Sequence, residues 1–182
     1  GYRVDGRVEK RFSAISTTIG IPFGYHKILS DNYRNGKIFQ TRTKEIPWGL
    51  KVSSRISRYI NLSYNMSASL VGGSLSDPDQ KLPQMTTFNQ KLTARFSKKR
   101  LGLSVFGEHY FNKSDVYGNN VAFFMDATLN LKLSKFELIL EGRNLLNHNI
   151  YAKRFMTGST ELQNTDAIRP VSLMFKLRFN FH

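Results

Sequence analysis

Residues Val171 to Phe181 read VSLMFKLRFNF. Val171, Leu173, Phe175, Leu177, Phe179 and Phe181 share one face of an extended chain, and Ser172, Met174, Lys176, Arg178 and Asn180 share the other. A period of two is the signature of a strand with two differently solvated sides. The last residues of a soluble domain are usually its loosest and most polar. Here the apolar row runs to the penultimate residue and ends in aromatics, so this strand is expected to rest against an apolar medium.

The same alternation recurs seven more times. Residues 1–12 are mixed and basic, and read as a lead-in and a turn. The first predicted strand places Ile15, Thr17, Ile19, Ile21, Phe23 and Tyr25 on one side; Pro22 requires an interruption, an edge or a bulge there. The second runs from Lys37 to Ile56, divided by Pro47, with Trp48, Leu50, Val52 and Ile56 in an apolar row that Ser54 breaks. The third carries Ile60, Leu62, Tyr64, Met66, Ala68 and Leu70; the fourth Phe88, Leu92, Ala94 and Phe96; the fifth Leu101, Leu103 and Val105. The sixth runs from Val121 to Leu133, the seventh from Phe136 to Arg143, and the eighth is the closing stretch. Loops are expected at 29–36, 71–84, 111–119 and 147–166.

Connections alternate in length. Ser57-Arg58-Tyr59, Ser97-Lys98-Lys99-Arg100 and Ser134-Lys135 are short and basic, with Lys10-Arg11 as a candidate fourth, while the intervening loops are longer. Short turns at one end and long loops at the other describe an up-and-down antiparallel sheet. Closing the sixth and seventh strands around Ser134-Lys135 pairs Leu133 with Phe136, Leu131 with Leu138, Leu129 with Leu140 and Ala127 with Gly142. The same register sets Lys132 opposite Glu137 and Asp126 opposite Arg143, so charges complement on the second face.

The chain has 182 residues, no Cys and a net charge of +14. Disulfides and thiolate metal sites are excluded. No apolar run approaches the roughly 20 residues of a membrane helix. His26, His109, His148 and His182 lie on separate segments, without nucleophile or metal-ligand spacing, so no catalytic residue, metal or cofactor is expected and the chain is not read as an enzyme. The basic residues are spread over every strand instead of forming one patch, which argues against nucleic acid.

Alternation fits a soluble barrel with its apolar face inside, or a membrane barrel with that face in lipid. Lipid is favoured by the uniformly polar second face, and by apolar rows close to the 9–11 residues that cross a bilayer. Aromatics near strand ends (Tyr59, Phe96, Tyr110, Phe136, Phe179, Phe181) point the same way.

Glu141-Gly142-Arg143-Asn144-Leu145-Leu146-Asn147, then Tyr151, then Arg169-Pro170 leading into the final aromatic strand, resembles the C-terminus of TonB-dependent outer-membrane receptors of the Bacteroidota type. Gly107-Glu108-His109-Tyr110-Phe111-Asn112 and the preceding hairpins resemble its earlier barrel strands. That family implies a 22-stranded barrel with an N-terminal plug in the outer membrane of a Gram-negative bacterium, importing a scarce nutrient. This chain has room for eight strands and shows no plug; His182 follows Phe181 where family members commonly end on the aromatic.

The resemblance implies the C-terminal portion of such a receptor as a single barrel segment over 1–182. Its partners would be outer-membrane lipid, the barrel-assembly machinery and, at full length, TonB and a transported ligand. The short turns would face the periplasm. Lys51, Arg55, Lys91, Arg95, Asp126, Glu141, Arg143, Lys176 and Arg178 would line the lumen, and Leu177, Phe179 and Phe181 would form the assembly signal. The loops at 71–84 and 147–166 would be candidates for ligand contact. The eight-strand count equally fits a complete small outer-membrane barrel with a structural or adhesion role, whose first strand would pair with its eighth.

Overall fold

A computed structural model describes residues 1–34, 37–76, 82–157 and 160–179. Its strands are β1 (Tyr2–Phe12), β2 (Thr17–Arg34), β3 (Lys37–Arg55), β4 (Ile60–Leu75), β5 (Met85–Lys98), β6 (Leu101–Ser114), β7 (Gly118–Lys132), β8 (Phe136–Arg143), β9 (Ile150–Thr157), β10 (Thr160–Ala167) and β11 (Ser172–Phe179). A single 3-10 turn, Ser13–Ile15, joins β1 to β2. Among the described residues no helix is long and apolar enough to cross a membrane.

Nine strands form one antiparallel meander in the order β1-β2-β3-β4-β5-β6-β7-β8-β11, and β9 and β10 form a separate hairpin. The sheet is open. β1 and β11 are its edges; β2 is flanked by β1 and β3, and β11 pairs with β8 alone. The expected eight strands correspond to β2–β8 and β11, and β1 is an addition. The pairing of first with eighth strand that a closed eight-stranded barrel requires is not made.

Several expectations need correction. The lead-in is a strand: Tyr2, Val4, Val8 and Phe12 alternate with Arg3, Asp5, Arg7, Glu9 and Arg11, and all eleven residues pair with β2. The first turn is therefore at Ser13–Ser16, with Ser16 at φ 47, and Lys10-Arg11 lies within β1. The strands outrun their apolar rows. β2 and β3 stay paired out to Arg34 and Lys37, β4 reaches Leu75, and β6 and β7 pair out to Ser114 and Gly118. Ser, Thr and Asn support a ladder there without supplying an apolar signal. The Asn35-Gly36 turn signal and residues 77–81 lie outside the described residues.

Pro22 makes no edge and no bulge. Between β2 and β3 the pairs Gly20↔Lys51, Phe23↔Trp48 and His26↔Glu45 keep one register, while the ladder skips Ile21–Pro22 and Gly24–Tyr25. Proline removes a donor without shifting the strands, so the gap is local. The β7–β8 register is the expected one: Ala127↔Gly142, Leu129↔Leu140, Leu131↔Leu138 and Lys132↔Glu137, with the Leu133 N–H donating to the Phe136 carbonyl.

The apolar face is uncovered. Ile21, Phe23, Trp48, Leu70, Leu92, Leu103, Phe123, Leu129 and Leu140 are all exposed, and Leu173 and Phe175 are 70% and 67% accessible. Total accessible surface is 12608 Å², against about 9,000 Å² for a compact soluble chain of this mass. Several polar groups on this face satisfy one another. Thr17 and Ser54 share a 2.7 Å hydrogen bond, which explains why Ser54 is tolerated in its row. Tyr64 Oη donates to Gln90 Oε1 at 2.7 Å, and Gln90 Nε2 meets His109 Nδ1 at 3.0 Å. His109 also stacks on Phe123 at 4.3 Å.

Close strand packing makes one glycine diagnostic. A Cβ at Gly49 would lie 2.5 Å from the Met66 carbonyl oxygen and 3.2 Å from the Pro22 ring, whereas one at Gly107 would meet nothing nearer than 3.9 Å. Gly49→Ala is expected to destabilise the sheet by about 1–3 kcal/mol and Gly107→Ala to be near neutral, measured by denaturant unfolding of the two variants side by side.

Candidate functional site

Directly opposed residues in a ladder share a face, so pairing traces the polar face strand by strand. One row runs Gly20, Lys51, Asn65, Lys91, Glu108 and Phe124; another runs Arg55, Asn61, Arg95, Ser104, Thr128, Glu141 and Met174. Asp126, Arg143, Lys176 and Arg178 fall on the same side by their register. All nine polar residues singled out from sequence therefore share one face, joined by Arg3, Asp5, Arg7, Glu9 and Arg11 of β1.

Six of the nine are engaged, with one another or with a neighbour on the same face. Lys91 meets Glu108 at 3.5 Å, Lys176 and Arg143 reach Glu141 at 2.7 and 3.2 Å, and Arg178 reaches Glu137 at 3.1 Å. Asp126 and Arg143 do stand on the same face, but they do not pair: the Asp126 carboxylate accepts the Asn144 N–H at 2.8 Å. Lys132 stands opposite Glu137 as expected, yet Glu137 takes Arg178 and Asn130 instead. At the other edge His26, largely buried, lies between Asp5 (2.8 Å) and Glu45 (3.1 Å), and Ser69 donates to Glu45. Gly24 leaves room for the Asp5 carboxylate, which a Cβ there would meet at 2.6 Å. This cluster ties β1, β2, β3 and β4 together, and its Asp5 belongs to the strand that sequence reading took for a lead-in.

The β9–β10 hairpin falls where a loop was expected, and it lies on the polar face of β6 and β7. Tyr151 packs edge-on against Tyr110 (5.5 Å) and Phe124 (5.0 Å). Ser114 donates to Glu161, Asn120 to the Ala152 carbonyl, and Arg154 to the Gly118 carbonyl. Tyr110, Asn112, Ser114 and Ala122 are buried beneath it. Tyr110 is thus part of this packing and not of an aromatic rim. Burial pushes the Tyr151 phenol up to about 12, with the Glu108 carboxylate adding to the effect.

The hairpin is anchored by the Asn-Leu-Leu-Asn motif. Asn144 and Asn147 both adopt positive φ, 50° and 54°, a conformation Asn accepts more readily than other side-chain-bearing residues. Buried Asn144 donates through Nδ2 to the carbonyls of His148 and Arg169, both at 2.8 Å, and accepts the His148 N–H at 3.0 Å. One side chain thus fixes the exit from β8, the base of the hairpin and the entry to β11.

Several cavities open on this face. One, about 570 Å³, lies beneath the hairpin base and is lined by Phe106, Phe124, Tyr151, Asp126, Arg143 and Arg169 among others. Another, about 550 Å³, lies at the short-turn end across β1–β5; its charged lining is Arg11, Arg55 and Arg95, set among Ser, Thr and Asn. Lys51 lines an adjoining cavity with Arg7. Among the described residues no cluster of His, Asp and Glu could hold a metal ion. Of the closing segment, Leu177 and Phe179 lie on the apolar face of β11, and Phe179 packs against Phe136 at 6.4 Å; Phe181 lies outside the described residues.

No protein-family model, no curated protein and no solved structure matches this chain.

Asn144→Ala removes three hydrogen bonds and a residue suited to positive φ. At about 1 kcal/mol per net hydrogen bond, a loss of roughly 2–4 kcal/mol is expected, with hydrogen exchange rising first across 144–170. Asn144→Gly keeps the backbone preference and is expected to fall between the two.

Proposed function

We propose that this chain is part of the wall of a transmembrane β-barrel in the outer membrane, the C-terminal portion of a TonB-dependent type of nutrient receptor. The observation that carries this is the uncovered apolar face. On it, Lys10 and Lys98 lie at the short-turn end and Lys27, Lys44 and Lys113 at the other. Between these limits no Asp, Glu, Lys or Arg stands on this face among the described residues; its ionisable side chains are the phenols of Tyr25 and Tyr64 and His109, which is hydrogen-bonded and stacked.

Aromatics mark the same two levels. Phe12, Phe96, Phe136 and Phe179 stand at the short-turn end, and Tyr2, Tyr25, Phe88 and Phe111 at the other. From Phe96 to Phe88 the strand covers roughly 26 Å at ~3.3 Å per residue, which a tilt of about 40° reduces to roughly 20 Å, near the height of the apolar band of such barrels. Lys and aromatic side chains at both limits are what a membrane boundary selects.

The remaining features follow from that reading. The polar face lines the lumen, the β9–β10 hairpin is an external loop folded inward, and Leu177 and Phe179 belong to the segment read by the barrel-assembly machinery. Two unpaired edges cannot be left in lipid, which supports a larger barrel whose other strands complete the sheet at β1 and β11. The specific assignment to TonB-dependent receptors rests on the Asn144–Asn147 motif, Arg169-Pro170 and the aromatic closing strand.

The test is lipid contact. In reconstituted full-length protein, Leu129→Arg is expected to cost about 2–4 kcal/mol and Thr128→Arg, on the opposite face, much less. Trp48 is expected to be quenched by brominated acyl chains and protected from aqueous iodide. A Trp48 quenched by iodide and indifferent to brominated lipid would overturn the membrane assignment. TonB-dependent, energy-coupled uptake then tests the receptor identity.

A further inference from the structure

On the polar face every described carboxylate is already engaged. Asp5 takes Arg3 and His26, Glu9 takes Arg7, and Glu45 takes His26 and Ser69. Glu108 takes Asn89 and Lys91, Asp126 the Asn144 N–H, Glu137 takes Asn130 and Arg178, and Glu141 takes Arg143 and Lys176. Arg11, Arg55 and Arg95 have no ion-pair partner among the described residues, and these three are the charged lining of the 550 Å³ cavity. Lys51, in the adjoining cavity, and Lys132 also lack an ion-pair partner on this face among the described residues, but three of the uncompensated charges share this one space.

The cavity's construction favours an oxyanion. Arg55 and Arg95 stand on either side of Asn61, each directly opposed to it in the ladder, so the two guanidinium groups flank one amide across β3, β4 and β5. Arg11 enters from β1, opposite Thr18, which is itself opposed to Ser53. Hydroxyl and amide groups of Ser16, Thr18, Ser53, Ser63, Thr93 and Asn61 make up most of the remaining lining, completed by Ser54 and Leu62, and no carboxylate contributes. Guanidinium forks bind phosphate or carboxylate oxygens in pairs, and hydroxyls and amides satisfy the remaining lone pairs. A cation or a neutral apolar group would find no complement here.

We propose that this groove binds a small polyanion bearing phosphate or carboxylate groups, held by Arg11, Arg55 and Arg95. The site does not depend on what covers the apolar face, so it stands or falls separately from the membrane assignment.

The test uses the full-length protein, with detergent or without as its solubility requires, titrated calorimetrically with inorganic pyrophosphate and with citrate at low salt. Arg55→Gln and Arg95→Gln are each expected to weaken binding about tenfold, as loss of a charge-assisted hydrogen bond does, and the double variant by more. Lys176→Gln, whose lysine already serves Glu141, is expected to leave it unchanged. Adding anionic phospholipid distinguishes the sources: competition that Arg55→Gln abolishes makes a lipid headgroup the occupant, and its absence makes the occupant a soluble anion. A second measurement needs no variant. Pyrophosphate is expected to protect Arg11, Arg55 and Arg95 from phenylglyoxal while Arg143 and Arg178 react as before. Equal loss in Lys176→Gln, undiminished binding in the double variant, no binding of either anion, or uniform protection would overturn the site.

Discussion

The antiparallel ladder decides where every side chain of the sheet goes. Strands follow one another in chain order from β1 to β8, and β11 is added beside β8 after the hairpin. A one-residue slip in any pair would send that strand's apolar row to the polar side. None occurs: even the two proline gaps between β2 and β3 leave the register unchanged. Two faces of opposite character result, and each must find its own solvent. Everything else in the molecule is a response to that demand.

Between its lysine-marked limits the apolar face answers by excluding charge, and it pairs off several of the polar groups it holds. Thr17 and Ser54 satisfy each other, and Tyr64, Gln90 and His109 form a chain. On a water-facing surface such groups would gain little from mutual bonds, because water would serve as well. In an apolar solvent an unmade hydrogen bond costs several kcal/mol, so each polar group on this face has a reason to have a partner. The pattern of satisfaction therefore carries information about the medium that hydropathy alone does not.

Much of this was legible in the sequence, for a physical reason. A fully apolar row opposite a polar one leaves only one acceptable register, which is why the β7–β8 pairing could be written down pair by pair. Reading failed where that contrast weakens. In β1, Gly6 and Lys10 interrupt the apolar row of Tyr2, Val4, Val8 and Phe12, though the charged residues alternate cleanly and were the available signal. Beyond Tyr25 and Leu70 the strands continue through polar residues that hold a ladder as well as a loop. Thr160 to Ala167 alternates no apolar row, and the partner that orders the β9–β10 hairpin is a polar surface over 30 residues away in sequence, at Tyr110 to Asn120. Side-chain pairing was less legible than register, because Glu137 and Asp126 each chose among several neighbours of suitable charge or donor character.

The two ends of the polar face are finished differently, and this gives the sheet a direction. At the long-loop end the chain covers itself: the hairpin buries Tyr110, Asn112 and Ser114, and Asn144 locks its base to β8 and β11. At the short-turn end none of the described residues folds over the face, and Arg11, Arg55 and Arg95 are left to water and its ions. If charge balance were all that mattered, one or two carboxylates on β4, which carries none, would have neutralised them, as Glu108 and Glu141 do farther along the sheet. Keeping β4 to Asn and Ser between two arginine-bearing strands leaves that end of the face open to an anion from outside the sheet.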